Sequence, residues 1–405
     1  MVFWKRHRLL ICGFYGHHNL GDEAMLVGML CLLKRCLGPD YLHRVTVYSN
    51  DPDDTAKQHG VATLRNQFPR RRREQWIKWA EHTLALWQHD FFILGGGDLL
   101  RDSPDREVAT VWLGPLQRAM ALGCQTIVLG ISVGEVWKTQ TQEAIVKTLN
   151  QVTLIAVRDQ QSQKQLQQMG VIRPIHVISD LALQITSTQS LSRSQIALSQ
   201  SASNGSALNI GISIRSLVGR SSELDADVEQ SFYREMAKII DYLIGTQGAT
   251  VSLLPFQTHT PSDRAQRRPQ DNDEDAIATV LEQCQQRQNI NVYEAFDSVE
   301  QAINTLQSFD LVIGTRLHSL ILAAGLGIPI LAAVYDKKVS GFMTEIDQQL
   351  NSIAVQQFTL ERVKPRLEKL LTHQPENRLK LVKAVEDYRQ TMEPVADKLC
   401  QLLGS

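Results

Sequence analysis

Two series of short apolar runs alternate with longer amphipathic segments, one on each side of a Ser-, Gln-, Thr- and Asn-rich stretch at 186–206. This pattern predicts an α/β fold of two Rossmann-like lobes, each built on a parallel sheet. Glycines and cations follow directly behind several of the apolar runs, where the carboxyl ends of parallel strands bind ligands. The chain of 405 residues is long enough for about two domains with a core each.

The first lobe is expected at 1–185, with strands over Leu9 to Phe14, Arg44 to Tyr48, Phe91 to Leu94, Thr126 to Gly130 and Leu154 to Val157. Asp22 to Leu37 has helical periodicity, acidic residues in its first turn and a stop at Gly38-Pro39. Thr139 to Asn150 and Asp159 to Met169 read as crossover helices. A linker is expected at 186–206 and the second lobe at 207–359. That lobe reads as strand Asn209 to Ile214, helix Asp227 to Thr246, strand Thr250 to Pro255, helix Glu274 to Gln286 and strand Asn291 to Glu294. A final unit joins strands Asp310 to Gly314 and Ile328 to Val334 by a small-residue helix. A helical tail at 360–405 completes what we read as a glycosyltransferase-B-like arrangement, with an acceptor-binding lobe first and a donor-binding lobe second.

A hydrophobic share of 43%, a charged share of 21% and a net charge of −1 describe an ordinary globular protein and argue against bulk nucleic-acid binding. The six cysteines show no CxxC pair, so neither a zinc site nor a disulfide framework is expected, and a reducing, cytoplasmic setting fits. The basic start, Met1 to Arg8, precedes an apolar run too short for a signal peptide. No stretch approaches the roughly 20 apolar residues of a membrane span.

The segment from Gly314 to Met343 carries the strongest functional signal. It places Arg316, His318 and Lys338 at the ends of two apolar strands, next to a helix N-terminus that already favours anions. Two fixed cations and one titratable imidazole there suit a small, multiply charged substrate.

In the first lobe, Gly13 to Glu23 follows the first strand and opens the first helix, but it has neither dinucleotide nor P-loop spacing. Gly95-Gly96-Gly97-Asp98 reads as a second close-approach turn at the same edge. Gly16, Asn19, Asp22, Glu23, Gly96, Gly97 and Asp98 are therefore candidates to grip a sugar or polyol, because carboxylates and amides match hydroxyl donors. From Arg70 to Trp87 a basic run joins tryptophans at helical spacing, either a solvated helix face or a membrane-surface contact.

These motifs, with Val157-Arg158-Asp159, Ser179-Asp180, Gly211 to Arg215 and Tyr335 to Val339, resemble in order and spacing the polysaccharide pyruvyl transferases, in particular the bacterial cell-wall or exopolysaccharide type. The resemblance runs from about Leu9 to Met343. It implies phosphoenolpyruvate as the donor substrate, with no cofactor, and a lipid-linked or polymeric saccharide as acceptor at the inner face of a membrane. It further implies donor contacts by Arg158, Arg316, His318 and Lys338, with Arg215 in addition. The sequence departs from the family pattern at Lys337, where Pro is common, and the motif's spacing favours Lys338. His318 is the expected general acid, since its ordinary pKa lies near neutrality. Asp22, Glu23 and Asp98 are the candidate bases, and nothing requires a metal. The alternatives are a glycosyltransferase of the same shape using a nucleotide sugar, and a non-catalytic scaffold.

Overall fold

The computed structural model describes residues 7–66, 75–102, 108–188, 207–219, 224–258 and 272–404, with only the backbone for 75–79 and 187–188. Most of the expected linker, part of the expected loop between Thr258 and Asp273, and the basic run at 70–73 lie outside these residues. By their internal contacts the residues form two units. The first comprises Met1–His17, Asp22–Gln184 and Arg389–Ser405, and the second comprises His18–Gly21 and Ile185–Tyr388.

The first unit holds β1 (Leu9–Cys12), β2 (Val45–Ser49), β3 (Ala62–Arg65), β4 (Phe91–Leu100), β5 (Gln125–Val133), β6 (Leu154–Val157) and β7 (Ile175–Val177). All pairs are parallel, in the order β3-β2-β1-β4-β5-β6-β7. The second unit holds β8 (Asn209–Ser213), β9 (Thr250–Leu253), β10 (Ile290–Val292), β11 (Leu311–Gly314), β12 (Ile330–Val334) and β13 (Ser352–Ala354). Its order is β10-β9-β8-β11-β12-β13, again all parallel. Each chain path runs outward from a central strand, returns and continues on the other side. The strand order therefore reverses between β1 and β4 in one sheet and between β8 and β11 in the other, and ligands bind at the carboxyl ends beside such reversals.

The central strands are apolar along their whole length because helices cover both faces, as in β11 (Leu-Val-Ile-Gly), which is wholly buried. Strands β3, β7 and β13 escaped the sequence reading because each has only three or four residues and β3 is partly exposed, leaving no continuous apolar run. The tail is helical over Leu360–Thr372, Gln374–Arg389 and Glu393–Gly404, and the last of these helices belongs to the first unit.

Two expectations are corrected. Gly95 to Asp98 is not a turn leading out of a strand. It lies within β4, where Gly95, Gly97 and Asp98 pair with Leu129, Ile131 and Ser132 of β5. Gly96 and Gly97 take φ of 72° and 92°, a conformation that a residue with a Cβ would resist, and the register with β5 shifts only beyond them, between Asp98 and Leu100. The cysteines do include a disulfide: Cys36, at the end of helix Leu20–Leu37, is bonded to Cys400 in helix Glu393–Gly404. A separation of 364 residues puts this pair beyond any reading of spacing. Arg35 reinforces the same contact with a two-pronged ion pair to Glu393 at 2.6 and 2.8 Å.

Helix Leu20–Leu37 also lies close against the chain after β7: a Cβ on Gly28 would stand 1.8 Å from the Leu181 carbonyl oxygen. Gly to Ala inside a helix ordinarily stabilises by about 1 kcal/mol. Gly28→Ala is expected to do the reverse, costing about 1–3 kcal/mol through overpacking against backbone that cannot rotate away. Urea unfolding checks this, and a midpoint at or above the parent's would contradict the packing.

Candidate functional site

In the second unit, four adjacent strands deliver polar and charged side chains to one edge. Arg215 follows β8, Gln257 follows β9, Thr315 and Arg316 follow β11, and Tyr335, Asp336 and Lys338 follow β12. The reversal between β8 and β11 is stitched at the backbone. Thr315 N–H donates to the Ser213 carbonyl at 2.9 Å, and Arg215 N–H donates to Thr315 Oγ1 at 3.0 Å. Helices Leu317–Gly325 and Lys337–Glu345 both begin at this edge, so the positive ends of two helix dipoles add to its field.

Arg316 is buried and matched on the spot. Its Nε donates to Asp273 Oδ1 at 2.9 Å and Oδ2 at 3.0 Å, Nη2 bonds the same carboxylate, and Nη1 donates to Gln257 Oε1 at 2.8 Å. Asp273 has no exposure at all. Arg215, also buried, donates from Nη1 to Tyr335 Oη at 2.8 Å, and its guanidinium carbon lies 5.1 Å from the ring centroid. The Glu229 carboxylate holds the following loop, accepting from Ser216 Oγ at 2.7 Å and from the Leu217 and Val218 N–H groups.

Asp336 caps the helix that carries Lys338, accepting the Lys338 N–H at 3.0 Å, with Nζ 3.5 Å from its other oxygen. Burial pushes the Asp336 carboxyl up. The ammonium and N–H of Lys338, with Arg215, outweigh that and hold it below the ordinary carboxylate range. Lys337, the neighbour that blurred the motif, is exposed, whereas Lys338 is half-buried.

His318 is half-buried on the first turn of its helix. Gly21 packs on it: a Cβ there would stand 2.2 Å from His318 Nδ1. Gly21 belongs to a short segment, 18–21, that runs against 256–258. Leu20 N–H donates to the Phe256 carbonyl at 2.9 Å, Thr258 N–H donates to the His18 carbonyl at 3.3 Å, and Asn19 pairs with Gln257. Asn19, expected on the acceptor lobe, is thus counted with the second unit.

The first unit gathers the other candidates. Gly13 approaches the chain so closely that a Cβ would stand 2.2 Å from the Gly95 carbonyl oxygen, and the Tyr15 hydroxyl donates to that oxygen at 2.7 Å. Glu23 accepts the Gly16 N–H at 2.8 Å and meets His59 Nε2 at 2.9 Å. Both its oxygens are therefore engaged inside the protein. Asp22 lies over Gly97, where a Cβ would stand 3.1 Å from Oδ1, and Asp98 follows directly on the strand.

Arg158 belongs to this unit and not to the group around Arg316. It donates to Asp180 at 3.0 Å, to Ser132 Oγ and toward Met25 Sδ. Burial would lower its pKa, but Asp180, Asp159 and Asp98 outweigh it and raise the value. Among the described residues, no three of His, Cys, Asp or Glu gather as metal ligands would.

Sequence reasoning missed Asp273, Gln257 and Gly21. Asp273 and Gln257 flank a long polar segment and carry no local motif, so only the tertiary fold reveals their pairing with Arg316. Gly21 was visible in the glycine-rich segment but had no assigned partner. Gly21→Ala is expected to melt near the parent protein, since it adds a helix former at the start of a helix. It should nonetheless shift the ring-nitrogen NMR resonances of His318, because the new methyl displaces the imidazole. Unchanged resonances would contradict the contact.

The comparisons with known proteins bear on this arrangement. The family model "Polysaccharide pyruvyl transferase" matches residues 19–337, most of the chain, and so includes Arg158, Arg215, Arg316 and His318 and stops one residue short of Lys338. Among curated proteins no sequence matches the chain. Several solved structures are similar in fold. Anabaena HepE, in complex with UDP and glucose, has a TM-score of 0.60 at 14% identity, covering 99% of this chain and 100% of that one. A glycosyltransferase from Rickettsia africae has 0.60 at 9% identity, covering 98% and 99%. A putative UDP-N-acetylglucosamine 2-epimerase from Listeria monocytogenes has 0.58 at 13%, covering 96% and 94%. At such identities these likenesses show the fold alone, that of the glycosyltransferase-B enzymes. With the motif residues seated at the carboxyl edges of two sheets of that fold, and with the match spanning most of its length, the chain belongs to the polysaccharide pyruvyl transferase family.

Proposed function

We propose that the protein transfers the pyruvyl group of phosphoenolpyruvate to two hydroxyls of one sugar in a cell-wall or exopolysaccharide precursor, forming a ketal and releasing phosphate. The observation that carries this reading is the edge around Arg316, where three cations, Arg215, Arg316 and Lys338, face two carboxylates, Asp273 and Asp336, beside one imidazole. Phosphoenolpyruvate presents a phosphate and a carboxylate on three carbons, a size and charge that such an edge can hold. Arg158, implied by the family resemblance as a further donor contact, is ion-paired to Asp180 in the first unit, so the cations of the second unit carry the donor reading.

In the first step the His318 imidazolium gives its proton to C3 and makes C2 electrophilic. A sugar hydroxyl then bonds to C2 and loses its proton to a base. Expulsion of phosphate makes C2 electrophilic again, and the second hydroxyl bonds to C2 and closes the ketal, its proton returning to the His318 imidazole. Arg215, Arg316 and Lys338 hold the donor and stabilise the departing phosphate. Asp22, Glu23 and Asp98 are the candidate bases, and Glu23 already accepts the Gly16 N–H and meets the His59 ring. No cofactor enters the scheme. The acceptor is a lipid-linked or polymeric saccharide. Exposed Leu84 and Trp87 on helix Gln75–Trp87 suit a peripheral membrane contact, on a protein with no described helix long and apolar enough to cross a membrane.

A nucleotide-sugar donor is the competing reading, favoured by the fold of the neighbours.

Thermal shift and calorimetry with phosphoenolpyruvate, UDP, GDP and UDP-sugars separate the two. A ligand at 100 times its Kd stabilises by about 2.7 kcal/mol. Stabilisation is expected from phosphoenolpyruvate and should weaken in Lys338→Ala. His318→Ala should keep donor binding while turnover falls on the order of 10²-fold or more. Stabilisation by a nucleotide in place of phosphoenolpyruvate would overturn the reading.

A further inference from the structure

Arg316 and His318 lie in a closed circuit of contacts. Asp273, with no exposure, takes the Arg316 guanidinium on its carboxylate, and its Oδ2 also accepts the N–H groups of Phe256 at 2.9 Å and Gln257 at 3.0 Å. Its own N–H donates to the Gln257 carbonyl at 2.9 Å, and the Gln257 side chain accepts from Arg316 at 2.8 Å. Segment 256–258 in turn holds segment 18–21 through Leu20, Thr258 and the Asn19–Gln257 pair. Segment 18–21 closes the circuit, because Gly21 packs on the His318 ring, two residues along the chain from Arg316.

We infer that Asp273 and Gln257 are positioning residues: Asp273 fixes the plane of the Arg316 guanidinium, and both seat segment 18–21 against the His318 imidazole. With three guanidinium nitrogens tied to Asp273 and Gln257, the directions of the remaining N–H bonds are fixed as well. An apolar contact would tie these segments at no greater cost in stability, since a buried ion pair gains little over well-packed hydrophobic residues. What the ion pair adds is direction. The carboxylate also offsets the charge of Arg316, which then acts as an oriented donor. The effect on donor binding rests on the pyruvyl-transfer reading, but the effect on the two side chains does not.

The test uses the full chain with Gln257→Ala and Asp273→Asn, followed by NMR of labelled arginine and histidine. In Gln257→Ala, the His318 ring-nitrogen resonances should shift and solvent exchange at Arg316 Nε–Hε should quicken. Asp273→Asn should do the same more strongly. The Kd for phosphoenolpyruvate should rise about tenfold in Gln257→Ala, the equivalent of one lost hydrogen bond to a charged group. A scaffolding role without positioning would lower the melting temperature and leave the resonances of the folded protein where they were, and that result would overturn the inference. If Asp273→Asn fails to fold, Gln257→Ala decides by the same signals. If the parent does not bind phosphoenolpyruvate, the donor reading fails separately. Altered Arg316 and His318 signals would still uphold the positioning role, and unaltered ones would still overturn it.

Discussion

A guanidinium withdrawn from water must be matched where it stands, and the carboxyl edge of the second unit's sheet is arranged around that constraint. Arg316 is buried against a carboxylate with no exposure. Removing one partner of such a pair costs about 3–5 kcal/mol, because the other is left charged and unsolvated. The segments that supply the partners are therefore held wherever Arg316 is held: 256–258, the start of helix Asp273–Gln283 and, by backbone bonds, 18–21. The first unit repeats the device with Arg158 and Asp180, whose side chains are 7% and 3% exposed, behind β6 and β7. In both units a buried ion pair stands at the carboxyl edge of the sheet.

Matching also decides how much positive charge is left for a ligand. Asp273 offsets Arg316, and Asp336 partly offsets Lys338, so the edge is far less cationic than its sequence suggests. What remains is directed: a guanidinium in a fixed plane, an ammonium beside a helix start, Arg215 held by Tyr335 and an imidazole pressed by Gly21. A preorganised arrangement of donors stabilises charge developing on a reacting group without reorganising when it forms. On the proposed reading, such an edge suits a compact anion whose two charged groups meet set positions.

Much of this fold was legible in the sequence, for a physical reason. Strands buried on both faces are apolar throughout, so β1, β8, β11 and β12 announced themselves, and the glycines and cations just behind them marked the carboxyl edges. Local signals placed Arg316, His318 and Lys338 behind β11 and β12, which are neighbours in one sheet. Partners set by the tertiary fold were not legible. Asp273 is 43 residues from Arg316, Cys36 is 364 from Cys400, and no periodicity connects either pair. Arg158 looked equivalent to Arg316 because both follow a strand, yet the strands belong to different sheets. Short edge strands such as β3 were lost because partial exposure removes the apolar signature.

The carboxylates show the same division most sharply. Asp22, Glu23 and Asp98 were equivalent candidates for a proton acceptor on sequence alone, since each follows a glycine-rich segment behind a strand. Glu23 differs because its two oxygens bridge the Gly16 N–H and the His59 ring, tying the glycine loop after β1 to helix Pro52–His59. Both of its oxygens are thus occupied inside the protein, and the residue is 8% exposed. Asp22 and Asp98 instead border Gly97, the residue whose positive φ keeps β4 paired with β5 past its glycines. Exposure does not set Asp22 apart, because at 7% it is as enclosed as Glu23, whereas Asp98 is half-buried. A base works where a hydroxyl can reach it, so of the three carboxylates Asp98, directly after the triple glycine, is the one a sugar reaches most readily.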